Sequence, residues 1–282
     1  AENGQIDEAV ETYRVALEED PTNEEVRRDI INLTLKREDF QQTIVEYFDW
    51  AEACQVQGAI DDAIRIYQEI IGLPTLLQKK IFMMDQRVAN EAIAQIQETI
   101  QAANGAIFFN LGYLYLEKGA LDESISCLQK SLEFNPGDAK THTLLGQVFM
   151  QKGQDNEATG EFQEVVRLAP DEAAYAYEML GEIFIRKGKP PQSSITWFKN
   201  AGDLYLRHEQ FEEAVRAYER ILSFEPGNKS VLEKLGEIYF KQGWKEQALD
   251  IYKQLAEIYG KEGLLDRVII IYEKLSEWDP EN

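Results

Sequence analysis

One spacing constrains this chain more than any other feature. Gly112, Gly119, Ser124, Leu128 and Pro136 return thirty-four residues later as Gly146, Gly153, Ala158, Phe162 and Pro170. Each block holds two apolar runs at helical spacing, parted by a turn glycine and closed by a proline that cannot continue a helix. Helices this short do not stand alone in water. Each block must therefore bury its apolar face on the next, and the chain is expected to stack its repeats. Gly181 continues the series with one extra residue, placed in the loop near Asp171. Gly4, Ala9, Tyr13 and Pro21 repeat only the second half of the block. Residues 1–22 thus read as a second helix without its first, with Ala9, Tyr13, Ala16 and Leu17 left unpacked. Residue 1 falls inside a block, which predicts a piece of a longer chain.

Elsewhere the step shortens. Thr43 and Tyr47 occupy the small and aromatic positions of a second helix, while Tyr47, Trp50, Ala51 and Cys54 read as a first helix. Ser194, Phe198, Gly202 and Tyr205 read both ways, as do Ala248, Tyr252, Ala256 and Tyr259. The next small position follows after twenty residues: Thr43 to Ala63, Ser194 to Ala214, Ala248 to Val268. One long helix is expected to serve two neighbours in each case. Gly72 and Pro74 read as the stop after the first such unit. Beyond them Leu77, Ile81, Met84, Val88, Ala92, Ile96, Thr99 and Ala103 keep helical spacing, with no Gly or Pro from Leu76 to Asn104. That stretch predicts one long helix or two abutting ones. The expected layout is a half repeat at 1–22, a divergent three-helix unit at 23–74 and an irregular helical insert at 75–104. Two regular repeats follow at 105–172, then three-helix units at 173–228 and 229–282.

The residues carrying these steps resemble the tetratricopeptide repeat family. They are Leu-Gly-x-x-Tyr/Phe at 111–115, 145–149, 180–184 and 235–239, and Ala-x-x-x-Tyr/Phe at 9–13, 63–67, 158–162, 214–218 and 248–252. Pro21, Pro136, Pro170, Pro226 and Pro280 close the units. The match covers all but Thr75–Asn104; within 23–74, Ile31 replaces the packing glycine and Glu38 the turn residue. The resemblance implies an all-α, right-handed α-solenoid of antiparallel helix pairs. It also implies a concave groove, lined by first helices, that binds an extended peptide or a partner's helix.

Charge and composition narrow the function. Twenty-nine basic residues against fifty-one acidic ones give a net charge of −22, which disfavours a surface that tracks phosphates. No nucleic acid is expected here. No apolar run is long enough to span a bilayer, and no signal peptide opens the sequence, although a targeting segment upstream stays open. Cys54 and Cys127 read as small packing residues of a cytoplasmic, reducing compartment. Two Cys and two His at no local spacing exclude a metal site of the usual kind. His142 stands at a packing position and His208 at an exposed helix end, neither beside a nucleophile. No phosphate loop is present and no cofactor is expected. The chain reads as a non-enzyme.

The packing pattern leaves one face of each first helix free. On it stand Phe109, Asn110, Tyr113, Gln147, Tyr175, Glu178 and Glu182, then Lys199, Asn200 and Asp203. Rings offer contact area and amides can bond a peptide backbone. Glu178 and Glu182, one turn apart, favour a partner with basic residues. Asn110 and Asn200 stand at the family's amide positions, but Tyr175 and Met179 stand where its chaperone-tail binders need cations. An acidic tail is therefore not the expected ligand. The expected function is a protein–protein interaction scaffold. The alternatives are the sensing half of a peptide-responsive regulator, or the recruiting arm of a larger enzyme.

Overall fold

The computed structural model describes residues 2–80 and 86–278. Among them all regular structure is helical, with no strand. The chain forms two compact units, residues 1–152 and 153–282. The first holds α1 (Glu2–Glu19), α2 (Glu24–Lys36), α3 (Phe40–Val56), α4 (Ile60–Lys80), α5 (Gln86–Glu117), α6 (Leu121–Phe134) and α7 (Ala139–Gln151). The second holds α8 (Asp155–Leu168), α9 (Ala174–Arg186), α10 (Pro191–Arg207), α11 (Phe211–Phe224), α12 (Lys229–Gln242), α13 (Lys245–Lys261) and α14 (Leu265–Trp278). Within each unit helices pack chiefly on their neighbours in the chain. This is the all-α solenoid arrangement.

The small residues of the repeat explain how these helices close on one another. A Cβ on Gly112 would lie 2.6 Å from the side chain of Leu128, so only glycine lets α5 and α6 meet there. The fully buried Ser124 strengthens the same crossing, its hydroxyl donating to the Gly112 carbonyl at 2.6 Å. In the second unit Phe198 of α10 packs on Gly181 of α9, and Gly202 of α10 receives the ring of Tyr218 from α11. One helix thus acts as second partner to α9 and first partner to α11, as its double pattern requires. The three helices that read both ways, α3, α10 and α13, are each 17 residues long. Pro191 opens α10 at a position whose N–H has no intrahelical partner to lose.

Three expectations at particular residues change. Gly72 and Pro74 do not end a helix: α4 runs through them to Lys80. A proline removes only its own N–H and crowds the carbonyl four residues back. The preceding turn is held by Ile70 and Leu73, both buried in the first unit's core. Nor is there a break near Asn104, because α5 is one 32-residue helix, about 48 Å long at 1.5 Å per residue. Gly105 lies inside it, where its carbonyl accepts the Ser131 hydroxyl at 2.8 Å and a Cβ would meet Phe134 at 3.7 Å. Ile96 and Ile100 of the expected insert are buried in the same core as Ile107 and Leu111. Ile81, Met84 and Pro280 lie outside the described residues. Thirdly, Leu17 of α1 is buried, while Ala16 is exposed as expected. Glu38, in the turn where glycine is usual, takes φ +57°, and Glu209 does the same at +59° after α10.

Candidate functional site

On the first unit the free face is built from α3, α5 and α7. Asn110 is half-buried and donates its amide N–H to the Tyr67 hydroxyl at 2.8 Å. That leaves its carbonyl oxygen and second N–H for another partner. Burial pushes the Tyr67 phenol up to about 12, against the opposing pull of the Asn110 bond. Phe48 of α3 stands edge-on to Tyr67 with ring centroids 5.3 Å apart. Tyr67 therefore joins Phe48 on one side to Asn110 on the other. Tyr113, one turn further along α5, is 36% exposed and its hydroxyl donates to Glu117 at 3.0 Å. Phe109 and Gln147 are half-buried. The stretch 86–104 does not fold back over Phe109 and Tyr113, because it is the same helix.

Phe48 borders this face through Tyr67, and sequence reasoning passed over it and over its neighbour Val45. The signal was present: Phe48 precedes Ala51 by three residues, as Phe109 precedes Gly112. The second-helix reading of the same stretch drew attention to Thr43 and Tyr47 instead. Val45 is 44% exposed.

On the second unit the expected acidic face is already engaged. Glu182 accepts two bonds from Arg220, at 2.7 and 2.8 Å. The Arg220 guanidinium also lies 5.7 Å from the Phe198 ring centroid, so this arginine ties α9, α10 and α11 together. Glu178 accepts the Tyr205 hydroxyl at 2.8 Å. Asp203 accepts the Tyr218 hydroxyl at 2.6 Å and an ammonium N–H from Lys234. Burial would raise the Asp203 carboxyl, but the bonds from Lys234 and Tyr218, with the charges of Lys234 and Lys199, hold it below the usual aspartate range. Burial and its carboxylate partner push the Tyr218 phenol far up. Tyr175 packs edge-on to Phe162, with centroids 6.2 Å apart. Lys199 is exposed and Asn200 half-buried.

Both histidines contact backbone carbonyls. Nε2 of His142 lies 3.1 Å from the Pro136 carbonyl and that of His208 lies 2.7 Å from the Asp171 carbonyl. Among the described residues no three His, Cys, Asp or Glu side chains gather as a metal site. Among them, too, no helix is long and apolar enough to cross a membrane.

Residues 112–153 match a TPR repeat model and residues 199–262 a tetratricopeptide repeat model. Both stretches are tetratricopeptide repeats. Among curated relatives, a Drosophila melanogaster BBSome complex member BBS4 homolog is 26% identical over 171 residues, covering 50% of this chain and 35% of that protein. The Caenorhabditis elegans tetratricopeptide repeat-containing protein trd-1 is 23% identical, covering 71% of this chain and 28% of that protein. DnaJ homolog subfamily C member 3 of Gallus gallus is 21% identical, covering 89% and 49%. The chain thus spans half or less of the length of these relatives. Among solved structures, one of MamA superposes with a TM-score of 0.43 at 17% identity, covering 70% of this chain and 95% of that one. Tetratricopeptide repeats are in general protein–protein interaction scaffolds and typically carry no catalytic centre of their own.

Proposed function

We propose that this chain is a non-catalytic scaffold that holds a partner peptide or helix on the first-helix face of its first unit. The observation carrying this reading is the contrast between the two candidate faces. On the second unit Glu182 accepts from Arg220 with both oxygens, while Glu178 accepts from Tyr205 and Asp203 from Tyr218 and Lys234 with one oxygen each. A cationic ligand there would compete with Arg220 and Lys234, which already offset part of this charge. On the first unit Tyr113 keeps a third of its surface in solvent, and Asn110 retains unspent hydrogen-bonding capacity beside it. Buried aromatic anchors carry much of the energy of most protein interfaces. Any preference for a basic partner then rests on the net charge of −22, which speeds approach in a salt-dependent way, and less on Glu178 and Glu182. The proposed setting is cytoplasmic, where Cys54 and Cys127 stay free thiols as they are here.

The test starts from a partner identified by affinity capture and then purified. Binding of that partner is measured with the parent chain, Tyr113→Ala and Glu182→Lys. Tyr113→Ala should weaken binding by about tenfold or more, the scale of a 1.4 kcal/mol anchor, with unchanged circular dichroism. Glu182→Lys, which reverses a charge already neutralised by Arg220, should have the smaller effect. Parent-like binding by Tyr113→Ala would show that the partner sits elsewhere.

A further inference from the structure

The half of α5 that precedes the repeat pattern builds a second feature. Against it lies the N-terminal part of α3, and between them opens a cleft of about 680 Å³. Ile44, Val45 and Phe48 line it from α3, and Thr99, Ala102 and Ala103 from α5; Gln41 and Glu98 complete the lining. Ile44 is buried, Val45 is exposed and Phe48 is half-buried. The short side chains at 102 and 103 leave the cleft its depth. Its size falls among established ligand sites, which span about 300–1,000 Å³.

We propose that this cleft receives an amphipathic helix of a partner protein, with bulky apolar residues on one face and Lys or Arg beside them. The proposal rests on the scaffold reading but names the adjoining cleft, which meets that face at Phe48, and a definite ligand chemistry. Two observations select the occupant. First, both walls are α-helices whose backbone groups are bonded internally, and the Thr99 hydroxyl already donates to the Gln95 carbonyl at 2.9 Å. Among the described lining residues, Gln41, Glu98 and the acceptor side of the Thr99 hydroxyl are all that could answer the backbone of an incoming extended strand. A strand would bury unpaired N–H and C=O groups, and each such group is costly. A helix satisfies its own backbone and presents only side chains. Secondly, among the described residues the lining holds one carboxylate and no cation, in a chain of net charge −22. An acidic helix would meet repulsion there, and a basic one attraction.

The experiment uses the full 282-residue chain and three labelled synthetic peptides, read by fluorescence anisotropy. One peptide carries Leu at helical spacing with flanking Lys. The second has the same composition rearranged so that Leu alternates, a strand pattern. The third replaces Lys by Glu. The first should bind at least about tenfold more tightly than the others. Ala102→Arg, which fills the cleft from an exposed position, should weaken it about tenfold. Glu98→Lys, also exposed, should weaken the Lys peptide and strengthen the Glu peptide. Tyr113→Ala should leave all three unchanged. Equal binding of the helical and rearranged peptides, or parent-like binding by both cleft variants, would overturn the proposal. Loss with Tyr113→Ala and not with Ala102→Arg would move the peptide to the Asn110–Tyr113 face, keeping the scaffold reading and sinking the cleft.

Discussion

Replacing Gly202 by alanine tests whether the shared helix α10 is held by close approach. A Cβ there would stand 2.7 Å from Cε1, 2.9 Å from Cζ and 3.0 Å from Cδ1 of Tyr218. Carbon atoms normally sit about 3.5–4.0 Å apart. The Tyr218 ring cannot step aside. It is fully buried, its hydroxyl is tethered to Asp203 at 2.6 Å, and the Lys234 ammonium lies 5.5 Å from its centroid. The helices must therefore part, and overpacking of this kind costs about 1–3 kcal/mol. Alanine also returns about 0.8–1.0 kcal/mol of helix propensity relative to glycine, which would mask a small clash. Gly160→Ala is the control. It lies inside α8 of the same unit, and its Cβ would meet nothing within 4 Å. The propensity gain is common to both variants, so their difference isolates the clash at about 1–3 kcal/mol. Urea unfolding followed by circular dichroism measures it. In the double variant Gly202→Ala, Tyr218→Leu the loss should be smaller than the sum of the singles, because the obstructing ring is gone. Equal stability of Gly202→Ala and Gly160→Ala would refute the reasoning.

Acid should find the Asp203 network. Its folded pKa is lowered, so its contribution is present above the unfolded aspartate value and lost as pH falls through the folded one. The stability gap between the parent and Asp203→Asn, measured by urea melts, should close on acidification. Alkali acts on the tyrosines with the opposite sign. Burial first, with further local effects, pushes Tyr47, Tyr67, Tyr239 and Tyr259 up to about 12. Their contribution is full below the ordinary phenol value and disappears as pH rises through about 12. Ultraviolet titration should show these phenols ionising only as helicity is lost; early ionisation with intact helices would contradict their burial. Glu209→Gly should raise the melting temperature slightly. Its φ of +59° costs a non-glycine residue about 1–2 kcal/mol, of which glycine's chain entropy takes back about 0.5–1.

The general placing of the helices was legible because their determinants are local and periodic. Gly112, Ser124 and Leu128 announce a crossing by their spacing alone, and Ser194, Phe198, Gly202 and Tyr205 announce a shared helix by satisfying two patterns at once. The turn glycines did the same, since φ near +76° at Gly58, Gly153 and Gly263 suits a residue without a Cβ. The ends of α4 and the start of α5 were not legible. Pro74 and Gly105 are local stop signals, yet α4 passes one and α5 the other. At Gly105 the reason is tertiary: Ser131 and Phe134 of α6 close on that point of α5.

For the candidate site the division is sharper. Helical spacing alone determined that Phe109, Asn110, Tyr113, Glu178 and Glu182 lie on faces the packing pattern leaves over. Whether a group on such a face is free was decided only by the fold. Arg220 reaches Glu182 from 38 residues away, Lys234 reaches Asp203 from 31, and Tyr67 reaches Asn110 from 43. No repeat pattern encodes these meetings, because a carboxylate's partner is chosen by which long side chain the neighbouring helix happens to place within hydrogen-bond range.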